Sequence, residues 1–168
     1  MSAAPTTVSR SALLIGGSDD AFRSLVDDLT HFATRLQQIR EALARQMGVT
    51  TPQYVMLMAL ARRTPGSAIG TKDLAARLRV SVPFVVTETK KLEAMGFLQK
   101  QPIAADRRRI DIVLTKRGLQ SVEALGSRQR TVNDILFSGV DEAKFSQLQK
   151  ITKDLLEACE PALEAAEH

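Results

Sequence analysis

The chain has 168 residues, 44% of them hydrophobic, with one cysteine and a formal net charge of +4. That length supports one sizeable core, or two small subdomains sharing one. The single cysteine excludes an intramolecular disulfide framework, and the longest apolar run, Tyr54 to Ala61, is too short to cross a bilayer as a helix. The charge is unevenly placed. Residues 1–61 carry five basic and five acidic side chains, residues 62–130 carry 15 and six, and residues 131–168 carry three and eight. A basic middle between a neutral and an acidic segment points to a localised polyanion site.

In chain order, residues 1–19 are rich in Ser, Thr and Gly, start without a basic cluster and hold only a four-residue apolar run. They are expected to form a flexible arm rather than a signal peptide, and the protein is expected to be cytoplasmic. Phe22, Leu25, Leu29, Phe32, Leu36, Ile39 and Leu43 then repeat every three or four residues, the seam of a long helix that Gly48 can stop. A second helix follows, with Thr51 as candidate N-cap and Pro52 in its first turn. After a loop at 64–70, "TKDLAARL" predicts a short helix capped by Thr71, with Asp73 favoured in the first turn. "SVPFVVTETKKLEAMG" predicts the next, capped by Ser81 and ended by Gly96. Two short helices joined by so brief a turn make a helix-turn-helix candidate.

The segment "IAADRRRIDIVLTKRG" places Arg107, Arg108 and Arg109 behind Asp106 and ahead of an alternating run with Ile110, Ile112 and Leu114 on one face. With a partner strand in "GFLQKQP" ending before Pro102, this reads as a hairpin whose loop spans roughly residues 102–109, long for a hairpin. Such a loop is either functional or merely solvated. Thr115 can cap a further helix through "TKRGLQSVEALGSRQRTVNDIL", "FSGV" is a break, and a last helix runs from about Asp141. Its apolar side carries Phe145, Leu148, Ile151, Leu155, Cys159 and Ala162. The terminal helices hold more apolar seam than a small helix-turn-helix core can cover, so they either pair with a second subunit or fold back on their own chain.

Taken together, "DLAARLRVSVPFVVTETKKLEAMGFLQKQPIAADRRRIDIVLTKRG" resembles the winged-helix core of MarR-type bacterial transcriptional regulators. The family's wing pattern is matched by Asp106 and Arg108, then the strand, then Leu114, Thr115 and Gly118. "KLEAMGFL" is similar to the family's run from recognition helix into wing, "TTPQYVMLMAL" to its second helix, and "FSGVDEAKFSQL" to the start of its final helix. The resemblance covers roughly residues 20–165. It implies a mainly α fold with a small β-hairpin wing. On this reading residues 49–130 form a winged helix-turn-helix DNA-binding domain, and residues 20–48 and 131–168 form dimerisation helices.

The resemblance further implies a homodimer on a palindromic site in double-stranded DNA, with recognition helices in major grooves and wings in minor grooves. Arg108 would reach a minor groove, whose narrow form attracts arginine, Asp106 would orient the wing by pairing a guanidinium, and Arg107 and Arg109 would serve phosphates. The implied DNA-binding set is Thr71, Lys72, Ser81, Val82, Pro83, Phe84, Thr87, Lys90, Lys91, Arg107, Arg108 and Arg109.

The recognition helix departs from the family. Val82, Pro83, Phe84 and Val86 stand where polar residues are usual; they can touch thymine methyl groups but cannot hydrogen-bond a base edge. Alternatively Val82 and Phe84 pack against the second helix or the wing. Glu88 also stands where the family usually has an apolar core residue.

No catalytic pair is identifiable, so an enzyme is not expected. "GSAIGTK" lacks the spacing and ending of a phosphate-binding loop, and with two histidines no His-rich metal site is expected. No cofactor is expected, and Cys159 reads as a buried, inert thiol. The family often binds small aromatic carboxylates between dimer helices and winged domain. His31 and Arg35 on the first helix, with Tyr54 and Met58 on the second, are the candidates for a phenolic anion; the alternative for His31 and Arg35 is a solvated face. The expected function is a ligand-responsive, DNA-binding transcriptional repressor, the alternative a winged-helix scaffold for protein partners. Operator, regulated genes, effector and sign of response are not written in the sequence.

Overall fold

A computed structural model describes residues 5–64, 66–103 and 106–167, with the side chains of residues 106–108 outside that description. Described residues form six helices and one antiparallel hairpin: α1 (Asp20–Gln46), α2 (Thr51–Ala61), α3 (Thr71–Leu78), α4 (Val82–Ala94), β1 (Leu98–Ile103), β2 (Asp106–Leu114), α5 (Lys116–Leu136) and α6 (Glu142–Glu167). The fold is mainly α with a β-hairpin wing, a winged helix-turn-helix. The chain divides into two compact units, residues 1–126 and 127–168. Among the described residues no helix is long and apolar enough to cross a membrane.

The core of the first unit is built on α2, whose Tyr54, Met56, Leu57, Met58, Ala59 and Leu60 are all buried. Leu43, Leu74, Val85, Leu92, Leu98 and Ile112 close around it from the neighbouring elements. An α2 buried almost all round explains why its sequence is a continuous apolar run rather than an amphipathic pattern.

Two caps differ from the sequence expectation by one residue. Thr50, not Thr51, caps α2. Its Oγ1 accepts from the Gln53 amide (3.5 Å) while Gln53 Oε1 accepts from the Thr50 amide (3.1 Å), a reciprocal capping box. Gly70, not Thr71, precedes α3, and its amide donates to Asp73 Oδ2 at 2.9 Å. In each case the side chain three residues into the helix selects the start. Ser81 caps α4 as expected, Oγ accepting from the Phe84 amide at 3.4 Å. Between α3 and α4 the chain reverses at Arg79, which takes a left-handed φ of 53°.

The hairpin is longer than expected. β1 runs through Pro102 and pairs Leu98 with Leu114 through Pro102 with Ile110, then shifts register so that Ile103 faces Asp106. Arg107, Arg108 and Arg109 therefore belong to a strand, not to a loop over 102–109. An irregularity beside Pro102 accommodates the proline's missing N–H. Residues 5–19 also depart from a flexible arm: a short 3-10 turn (Ser11–Leu13) and a bridge between Ile15 and Ser18 lead back to the start of α1.

In the second unit Asp141 Oδ1 accepts from the Lys144 amide (2.8 Å) and starts α6. No residue of α6 is buried within the described chain. Cys159 is accordingly exposed, its thiol donating to the Leu155 carbonyl at 3.3 Å, contrary to the buried reading.

Candidate nucleic-acid interface

Helix α4 turns Val85, Glu88, Thr89 and Leu92 into the core. The opposite stripe, Pro83, Thr87, Lys90, Lys91 and Ala94, is exposed, at the spacing of one helical face. Val82 and Phe84 in the first turn each keep 37% of their surface exposed. Phe84 also lines, with Val80, Leu78, Val55, Met56, Pro52, Thr51 and Gln37, an apolar cavity of about 220 Å³. Phe84 thus borders this cavity while remaining partly exposed.

The polar side chains of this face are partly engaged by the protein itself. Ser81 Oγ serves as the cap, and the Thr87 hydroxyl donates to the Pro83 carbonyl at 3.0 Å. Lys91 Nζ lies 2.6 Å from Glu88 Oε1. Glu88 answers its unusual position with two partners, since Gln53 Nε2 donates to its other oxygen at 2.9 Å. The hydrogen bond from Lys91 holds the Glu88 carboxyl below its ordinary pKa; burial opposes this and Gln53 assists. Gln53 therefore bonds in two directions, to the backbone that starts α2 and to the side of α4. Thr71 is half-buried and Lys72 exposed at the start of α3.

The base of the wing is fixed by groups that the sequence reading did not single out. Asp111 in β2 is buried. Its Oδ1 and Oδ2 each lie 3.1 Å from Arg63 Nη1, and Oδ1 also accepts from the Ile69 amide at 2.9 Å. The Ile112 amide in turn donates to the Ile69 carbonyl (2.9 Å), stitching β2 to the loop before α3. At the far end, Thr115 Oγ1 donates to the Gly96 carbonyl (2.6 Å) and accepts from the Gly118 amide (3.1 Å). A Cβ on Gly118 would stand 2.0 Å from the Phe97 carbonyl oxygen, which explains the glycine three residues beyond that threonine. Arg117 lies over the Phe97 ring, 4.9 Å from its centroid.

Arg109 is exposed on β2. Asp106, Arg107 and Arg108, the expected wing-orienting and groove-reaching side chains, lie outside the described residues. Of the expected effector residues, His31 and Arg35 are exposed on α1, Arg35 Nη1 donating to Gln38 Oε1 at 3.0 Å. Tyr54 and Met58 are buried in α2, and burial pushes the Tyr54 hydroxyl above its ordinary pKa against the opposing charges of Arg40 and Arg62. The cavity under α4 is lined by none of these four. Among the described residues no group of three or more His, Cys, Asp or Glu side chains could hold a metal ion.

Residues 47–109 match the model of the MarR family. No curated protein sequence matches the chain. Among solved structures, the chain is similar to AbsC, a MarR family transcriptional regulator from Streptomyces coelicolor, at 19% identity and a TM-score of 0.74, over 84% of this chain and 96% of that one. It is also similar to S. aureus MepR in a complex with DNA, at 22% identity and a TM-score of 0.66, over 78% and 94% of the two chains. A third similar structure is CouR from Rhodococcus jostii RHA1 bound to p-coumaroyl-CoA, at 16% identity and a TM-score of 0.68, over 76% and 87%.

Proposed function

Because residues 47–109 match the model of the MarR family, we propose that this chain is a ligand-responsive transcriptional repressor that binds a palindromic operator as a homodimer. The observation that carries the reading is the coincidence of the basic segment with the winged helix: residues 62–130, with 15 basic against six acidic side chains, span α3, α4, the wing and most of α5. Phosphate neutralisation by such a segment supplies affinity, and the wing arginines Arg107, Arg108 and Arg109 supply minor-groove and phosphate contacts. MepR in its DNA complex is a precedent for the partner.

Dimerisation is supported by the apolar side chains left exposed on α1 and α6, Leu25, Leu29 and Phe32 on the one and Leu148, Ile151 and Leu155 on the other. Ligand response is supported by the cavity under Phe84, whose occupant would press on the first turn of α4, and by the ligand-bound relative CouR. An aromatic carboxylate remains the proposed effector class, with His31 and Arg35, on the same helix as Gln37 at the cavity wall, as its proposed partners.

The exposed apolar turn of α4 favours a second reading, a scaffold that binds protein partners. Replacing Arg107, Arg108 and Arg109 together by alanine separates the two. A regulator loses DNA affinity and a scaffold has none to lose.

A further inference from the structure

We propose that α4 reads its operator through the C5-methyl groups of thymine, which Val82 and Phe84 contact in the major groove. The inference rests on the DNA-binding reading above and names what the site recognises.

Direct readout needs donors or acceptors free to meet a base edge. The Thr87 hydroxyl gives its proton to the Pro83 carbonyl, Ser81 Oγ accepts from the Phe84 amide, and Lys91 Nζ is paired with a buried carboxylate, so each keeps only part of its hydrogen-bonding capacity for a base edge. The ion pair between Lys91 and Glu88 is itself secured from behind by Gln53, so releasing Lys91 to a base would strand Glu88 in a largely buried place. Lys90 is exposed, but a lone ammonium on a flexible stem is a point charge suited to phosphate or to one guanine edge.

What the first turn does present is shape. Val82 and Phe84 are each 37% exposed on either side of Pro83, and Pro83 has no N–H to offer. In the major groove the apolar feature that distinguishes one base pair from another is the thymine methyl group. The charge of the same helix pair suits a polyanionic duplex, because Lys72, Arg77, Arg79 and Lys90 are all exposed on α3, α4 and their connection.

The experiment begins with selection of binding duplexes from a random double-stranded library by the full-length protein. The selected duplex is then synthesised with deoxyuridine for thymidine in its half-sites. That change removes only the C5-methyl groups and keeps every base-pairing and groove donor and acceptor.

The expected result is weaker binding of the uridine duplex by about three- to four-fold for each methyl group buried, with binding to a scrambled duplex unaffected. Val82→Ala, at an exposed position that leaves the core intact, is expected to bind the thymidine duplex more weakly and to discriminate less between the two duplexes. Phe84→Leu provides a second, conservative check. Equal affinity of the wild-type protein for both duplexes overturns the inference while leaving DNA binding in place. So does salt-dependent binding from which no sequence is enriched. Absence of binding to any duplex at low salt overturns the DNA reading itself, and the inference with it.

Discussion

At Asp111 a single carboxylate holds the wing against the body of the domain, accepting from the Arg63 guanidinium and the Ile69 amide while itself buried. Asp111→Ala leaves a partly buried guanidinium and a backbone N–H without their acceptor. The expected loss is about 2–3 kcal/mol, below that of a fully buried pair because Arg63 is partly exposed. Asp111→Asn keeps an acceptor for the amide and should lose less; urea unfolding of the two variants measures both. Gly118→Ala forces a Cβ into the Phe97 carbonyl, and overpacking against backbone is expected to cost about 3 kcal/mol or more in the same assay. The glycine was legible as part of a wing pattern. Asp111 was not, because alternation assigned Ile110, Ile112 and Leu114 to the core face and left Asp111 opposite. That opposite face is covered by a loop whose Arg63 is 48 residues away in sequence, and no local period reports such a pairing.

Elements were legible wherever periodicity or a turn residue marked them, and blurred where a side chain decides between neighbours. The starts of α2 and α3 each moved by one residue because Gln53 and Asp73 reach back to a particular amide. The hairpin is legible in the sequence but its length is not, since a proline marks a strand end and this strand passes through it. The stretch before α1 is the largest departure. Asp19 accepts from the Thr7 amide (2.5 Å) and hydroxyl (2.7 Å) and from Arg23 Nε (3.0 Å), while Arg23 Nη2 donates to the Pro5 carbonyl at 2.9 Å. Such contacts bridge 12 and 18 residues, and a composition of Ser, Thr and Gly does not announce them.

The Thr7 hydrogen bonds, helped by Arg23, lower the Asp19 carboxyl to about 2. A carboxyl depressed in the folded chain favours the folded arrangement fully above its unfolded pKa near 4, and that contribution is lost as pH falls through about 2. The arm is therefore expected to stay docked at pH 5 and to loosen between pH 4 and pH 2, read as faster exchange of the Thr7 amide after correction for intrinsic rates. Asp19→Asn should loosen it at neutral pH and speed tryptic cleavage after Arg10.

For the whole molecule the decisive physical fact is uncovered apolar surface. Helix α6 buries none of its residues in the described chain, yet leaves Phe145, Leu148, Ile151, Leu155, Leu156 and Leu163 between 43% and 56% exposed. Faces of this kind mark association sites, and the dimer proposed above covers them with a second copy. Leu148→Glu with Ile151→Glu is expected to shift the protein to monomer in sedimentation equilibrium and to weaken operator binding, because one half-site then binds without the other. A variant that remained dimeric would place the subunit contact elsewhere.

The central claim is that the basic winged helix recognises DNA. Its most direct test is a titration of the purified protein against the duplex upstream of its own gene and a scrambled duplex of equal composition, over a range of salt concentrations. The account expects preference for the upstream duplex, with log affinity falling steeply and linearly against log salt as phosphate contacts release counterions. No binding to either duplex at low salt would contradict it.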